Sequence, residues 1–299
     1  MPSDARPRNG EPRGLGPFIT HVVRPHPGGG HLVAASRRHR KGLAPHHVAD
    51  AHLVDRPHPT RASAFLHFWA PRRLAWWIAL LFAIGASLFA VASASGAWPG
   101  LAPEALRAAP ERLSAVFFLG SLFFTAAAWL QWLESLNGDV AVAFSGPPAG
   151  FRWRGFLPHN LGYLASLAQL IGTLLFNVNT ADAAWVGLDW LGEDLLVWVP
   201  NMIGCVCFLV ASVLAFLEVT QGAVVFAPRS VSWWIAVINL CGSIAFQVSA
   251  LYAFAGPEPS SARASFWSDA WTCTGAVCFA LGAYLMVPEL FDETQISDA

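Results

Sequence analysis

Six uninterrupted apolar runs, at residues 74–95, 114–133, 161–179, 196–219, 233–254 and 270–287, govern what this chain can fold into. Each is close to the roughly 20 residues a helix needs to cross a hydrocarbon core. Inside lipid a backbone must satisfy its own hydrogen bonds, which only helices and closed barrels do. The runs are continuous rather than alternating, so helices are expected and not barrel strands. The composition agrees: of 299 residues, 55% are apolar and only 12% charged, against about a quarter charged in soluble domains. The expected fold is therefore all-α, a polytopic membrane protein with six transmembrane helices.

The charge distribution sets the expected orientation. The tail to residue 73 holds twelve of the eighteen Arg and Lys, against four acidic residues. With Arg152, Arg154 and Arg229, fifteen basic residues flank one side of the spans, and Arg107, Arg112 and Arg263 the other. Positive residues stay inside, which predicts an N-in/C-in protein of the inner or plasma membrane. Trp76, Trp77, Trp132, Trp233 and Trp234 fall at the cytoplasmic boundaries so assigned, where amphipathic rings settle.

Residues 1–70 are rich in Arg, His, Pro and Gly, with nine of the ten histidines. No sustained apolar period supports a core, so the segment reads as a disordered basic cytoplasmic tail. The histidines show no helix-spaced ligand pair beside a carboxylate or Cys, and no metal is expected. Phe65, Leu66, Phe68 and Trp69, followed by Arg72 and Arg73, suit the interface with anionic headgroups. The membrane domain spans 71–292 and a short cytoplasmic tail covers 293–299.

Each of the six runs contains Gly, a small residue, two further residues and Phe, beginning at Gly85, Gly120, Gly172, Gly204, Gly242 and Gly275. In lipid, where no hydrophobic force brings helices together, small residues let backbones approach closely. The even runs alone carry a glutamate fourteen residues after the glycine: Glu134, Glu218 and Glu289. Runs one and five share Trp-Trp-Ile-Ala nine residues before it, and run three has Tyr163 there. The unit is a helical hairpin used three times, at about 74–134, 161–219 and 233–289, with parallel repeats that suggest an axis along the membrane normal.

The Gly-Ser-x-x-Phe copies at Gly120 and Gly242, carried on paired apolar helices, resemble the YrhK-like domain. That is a two-helix bacterial membrane unit of uncharacterised function. The likeness is best in the third hairpin; the long tail, and Ala, Thr or Cys in place of Ser in four copies, depart from it. It implies a bacterial inner-membrane protein and brings no activity.

No charged residue lies near a predicted midplane, which removes the signature of proton relays and charge-coupled pumps. Gln169, Asn177, Asn201, Asn239 and Gln247 form a candidate polar layer. Its plain reading is interhelical hydrogen bonding; the sharper one is a path for a small polar solute. Glu134, Glu218 and Glu289 read either as solvated helix ends or as a carboxylate ring that attracts cations. The negative end of the helix dipole gives no structural reason to put carboxylates there. No catalytic motif, phosphate cradle or zinc pattern is present, so no enzyme, cofactor, metal or nucleic-acid partner is expected. The partners expected are the lipid bilayer and a membrane protein or a second copy of the chain. The functional expectation is a structural or accessory membrane protein, with a small channel or transporter as the alternative.

Overall fold

The computed structural model of the chain describes residues 10–107, 112–145, 150–183, 188–221, 225–254 and 261–292. Residues 1–9 and the tail expected at 293–299 lie outside the described residues. Six helices are long and apolar enough to cross a membrane, which makes the chain a multi-pass integral membrane protein.

The expectation of an all-helical fold needs correction. Before the first span lies a four-stranded antiparallel sheet in the order β1-β2-β3-β4: β1 Glu11–Leu15, β2 Phe18–Pro25, β3 His31–Ala35 and β4 His46–Val48. Where a disordered tail was expected, the chain thus folds. The turn from β1 to β2 uses Gly16 at φ +55, a conformation glycine takes without strain. β2 is covered on both faces. Val23 packs with Val33, Val48 and Val54, while Val22 and Ala34 pack on Val140, Ala143 and Phe144 from a loop of the membrane domain. One wall of this small core is therefore borrowed from the bundle, and the Ile19 amide fastens the same strand to the His159 carbonyl at 2.8 Å. A single helical turn, α1 Ser36–Arg40, leaves β3.

The spanning helices are α2 Leu74–Ala97, α3 Arg112–Asn137, α4 Leu161–Asp182, α5 Val199–Val219, α6 Val231–Tyr252 and α7 Ala262–Glu289. α5 is extended at its start by a short turn and a π-helical stretch, Glu193–Trp198. α7 starts eight residues before its expected apolar run, because the Ser261 hydroxyl accepts from the Ala264 amide and caps a polar first turn. Each helix packs on its chain neighbours and α7 returns to α2, so the six close into a ring.

The glycines explain how tightly the ring closes. They meet in the pairs Gly85/Gly120, Gly172/Gly204 and Gly242/Gly275, and a Cβ added at any of them would lie 2.9–3.2 Å from its partner's carbonyl oxygen. The motif phenylalanines fill the axis as two triangles. Phe89, Phe176 and Phe246 have ring centroids 6.0–6.3 Å apart, and Phe124, Phe208 and Phe279 5.6–6.5 Å apart. Phe176 stacks on Phe208 at 5.0 Å to join them. Aromatic pairs of this kind contribute about 0.5–1.5 kcal/mol each beyond area burial, which matters in lipid, where apolar burial alone gives no preference.

Anchors recur at the sheet side of the ring. The Trp76 and Trp233 indoles donate to the Phe68 and Val225 carbonyls at 2.9 Å, and the Tyr163 hydroxyl donates to Gly155 at 2.8 Å. In each case the acceptor lies eight residues back. The five cysteines are free; Cys205 is buried and Cys241 exposed.

Candidate functional site

The three even helices all end on the side that carries the sheet, so their C-terminal turns bring Glu134, Glu218 and Glu289 to one mouth of the ring. At these helix ends unpaired carbonyls already concentrate negative charge. A carboxylate buried there requires cations, and α1 delivers them. Its sequence Ser36-Arg37-Arg38-His39-Arg40, followed by Lys41, enters the mouth with the basic side chains among the glutamates.

Arg37 grips Glu289 in a fork, Nε to Oε1 at 2.6 Å and Nη2 to Oε2 at 3.0 Å. Lys41 bonds the same carboxylate, as does the Ser232 hydroxyl at 2.6 Å. Arg40 bonds Glu218, which also accepts from Ser36 Oγ at 2.7 Å. Arg40 Nε lies 3.8 Å from Glu134, so one guanidinium spans two helices. Arg38 donates to the Asp292 carbonyl at 2.9 Å and to its carboxylate at 3.3 Å, just past α7. All three glutamates are buried. The reading of solvated helix ends is therefore corrected, and the cations they attract belong to the chain itself.

Charge is balanced within the mouth, with Arg37, Arg40 and Lys41 against the three glutamates, but the balance is not uniform. Burial opposes the charge on Arg37, yet Glu289 beside it outweighs that and holds the guanidinium above its ordinary range. Burial, with Arg37 alongside, brings Lys41 down to about 8 in spite of Glu289. Lys41 is the cation in the cluster that gives up its proton most readily.

Beneath α1 lies a cavity of about 50 Å³, lined by Lys41, Gln131, Glu134, Gln169, Asn239 and Phe279. At ~10–15 Å³ per water it has room for a few water molecules. A second, open cavity of about 150 Å³ lies at the other end of the ring, against Phe89, Phe117, Asn179, Thr180, Asn201 and Thr272. Phe279 lines the first and Phe89 the second, so the two phenylalanine triangles separate them.

The expected polar layer is split by this partition. Gln169 and Asn239 line the sheet-side cavity and Asn201 the far one. Gln131, absent from the sequence reading, donates to Gln169 at 3.5 Å. Asn177 donates to Thr125 Oγ1 at 2.9 Å and Gln247 to Met202 Sδ at 2.8 Å, so these two join helices instead of facing a path. Asn239 Oδ1 is buried without a hydrogen-bond partner among the described residues.

Neither a family model, a curated protein nor a solved structure matches this chain. What the mouth does must be read from its own geometry. Among the described residues no group of three or more metal-ligating side chains converges.

The docked sheet carries an acid-sensitive group. His46 is 3% exposed, and burial, reinforced by His58, Arg38 and His21, lowers it to about 3. Burial lowers His21 and His39 as well. In the unfolded chain these rings take protons near pH 6.5, so between about 6.5 and 3 the unfolded state binds more protons and stability falls as pH falls. Each such group contributes a slope of about 1.4 kcal/mol per pH unit. The expected result is a melting temperature, and a protease resistance of residues 10–60, that decline from pH 7 to pH 5. His46→Gln should flatten that decline; an unchanged pH profile in this variant would assign the effect to other groups.

Proposed function

We propose that this protein is a structural or accessory component of the bacterial inner membrane, without enzymatic activity, that serves as a sealed scaffold for a membrane partner or a second copy of itself. The observation that carries the reading is the fastening of α1 to the ends of α3, α5 and α7 above an axis filled by six phenylalanines. Such a body is braced at its mouth, and among the described residues the phenylalanines stand between its two polar cavities. The asymmetric distribution of Arg and Lys supports an orientation with the sheet in the cytoplasm. The recurring glycine pairs and anchors support a derivation from three hairpin units, and the Gly-Ser-x-x-Phe copies still favour the YrhK-like resemblance.

The two polar cavities facing each other across the phenylalanines favour a second reading, a solute path closed by an aromatic constriction. Purified protein in liposomes, screened with monovalent ions and small polar solutes, separates the two. The scaffold reading expects leakage equal to protein-free vesicles. Saturable flux that disappears in the double variant Asn201→Leu, Asn239→Leu would replace it with transport.

A further inference from the structure

A groove of about 550 Å³ runs between β4, the segment Leu53–Pro59 and the loop Val225–Ser230 that leads into α6. That volume is typical of ligand sites. Its walls divide by chemistry. Arg56, Arg229, His47 and His58 supply basic side chains, Val48, Leu53 and Phe226 the apolar surface, and no carboxylate among the described residues lines it. Elsewhere in the sheet domain Arg13, Arg37, Arg38, Arg40 and Lys41 are matched with acids. Arg56 and Arg229 have no carboxylate partner among the described residues and are exposed. Two unmatched permanent cations in a half-apolar cleft are poised for an anion.

A second observation points into the same place. His46 at the groove's inner end is 3% exposed and its Nδ1 is buried without a hydrogen-bond partner among the described residues. The His58 ring lies 4.8 Å away, centroid to centroid. Both rings also line a small cavity of about 30 Å³ behind the groove, together with Arg56, Gln221, Ser230 and Glu218. Glu218 there is held by Arg40 and Ser36, so it does not neutralise the groove.

The position of the groove says where the anion comes from. Its outer wall is the loop directly before α6, with Phe226 75% exposed and Trp234 also turned outward at the start of the helix. A ligand in the groove would sit where a spanning helix meets the headgroup layer, with its apolar part free to follow Phe226 and α6 toward the lipid tails. From this placement we infer that the groove binds the phosphate headgroup of an anionic phospholipid, with Arg56 and Arg229 holding the phosphate and Phe226 bordering the acyl chains. This site is separate from the mouth of the ring and does not depend on whether the protein is a scaffold or a pathway.

The test uses the full-length protein in neutral detergent, followed by native mass spectrometry and thermal melting. The probes are phosphatidylglycerol, phosphatidylcholine and soluble inorganic phosphate. Phosphatidylglycerol should be retained and raise the melting temperature, and phosphatidylcholine and phosphate should do neither. The double variant Arg56→Gln, Arg229→Gln should bind phosphatidylglycerol about tenfold or more weakly, while Arg154→Gln, on another loop, should match wild type. If the double variant aggregates, Arg229→Gln alone carries the test, since that side chain is exposed on a loop. Equal retention of both lipids, a response to inorganic phosphate as large as to lipid, or arginine variants that bind as wild type does would each overturn the assignment.

Discussion

Glu289→Gln is expected to release the sheet domain from the bundle. The carboxylate holds Arg37, Lys41 and Ser232 together, with Arg37 11% and Lys41 2% exposed at their side chains. Glutamine keeps the shape and removes the charge, which leaves two buried cations facing a neutral amide at the negative end of α7. Removing one partner of a buried pair costs about 3–5 kcal/mol, mostly for the uncompensated charge left behind. Thermal melting and limited proteolysis in detergent would report the loss, and cleavage should fall first between the sheet and α2. The same reasoning ranks the three positions. Glu218 pairs with one guanidinium and a hydroxyl, and the ion pair of Glu134 among the described residues is the long one to Arg40 at 3.8 Å, so Glu218→Gln should cost less and Glu134→Gln least. The triple variant Arg37→Met, Lys41→Met, Glu289→Met should regain most of the stability, because buried ion pairs are replaceable by apolar groups of similar volume. A single Glu289→Gln protein as stable and protease-resistant as wild type would show that the cluster does not hold the domain.

Gly275→Leu should prevent the third hairpin from closing. A Cβ at this position would lie within contact of the Phe246 ring and 2.9 Å from the Gly242 carbonyl oxygen. Neither neighbour can give way. The carbonyl is part of a helix backbone, and Phe246 is enclosed by Phe89, Phe176, Phe208 and Phe279. Overpacking costs about 1–3 kcal/mol where the core can adjust, and more where it does not. Here it also separates two helices whose close approach is the main source of their attraction in lipid. The expected result is loss of monodisperse protein on size exclusion. Gly100→Ala, where nothing stands within 4 Å of the added atom, should behave as wild type. Wild-type yield and melting temperature for Gly275→Leu would remove the packing role from the motif.

The membrane domain was legible because its signals are local. Twenty apolar residues in a row admit few structures, and the glycine and phenylalanine recur at one spacing. The sheet was not legible, because β2 offers only Phe18-Ile-Thr-His-Val-Val-Arg-Pro25, and four short strands share a core of a few valines. Its second wall is Val140, Ala143 and Phe144, more than a hundred residues away in sequence. Nothing in the tail alone shows enough apolar surface to offset ordering. The partners of the glutamates were hidden for the same reason, since Ser36 and Glu218 are 182 residues apart. One sequence clue did point to them. Three carboxylates at the negative ends of three helices call for three cations, and Arg37, Arg40 and Lys41 stand together in the tail. The polar layer was misplaced because equal offsets from a glycine put residues of antiparallel helices at opposite depths.

The attachment of α1 also has a consequence for how the chain is made. Arg37 and its carboxylate partner Glu289 are 252 residues apart, so the clasp joins a segment to one that leaves the ribosome long after it. Until the sixth helix is in place, Arg37 and Lys41 lack the carboxylate that holds them, and α1 has only the Arg40 and Ser36 contacts to Glu134 and Glu218. Full closure is therefore a late event that follows completion of the ring, and a chain stalled after four or five helices would present Arg37 and Lys41 unmatched, a chemical mark of an unfinished molecule.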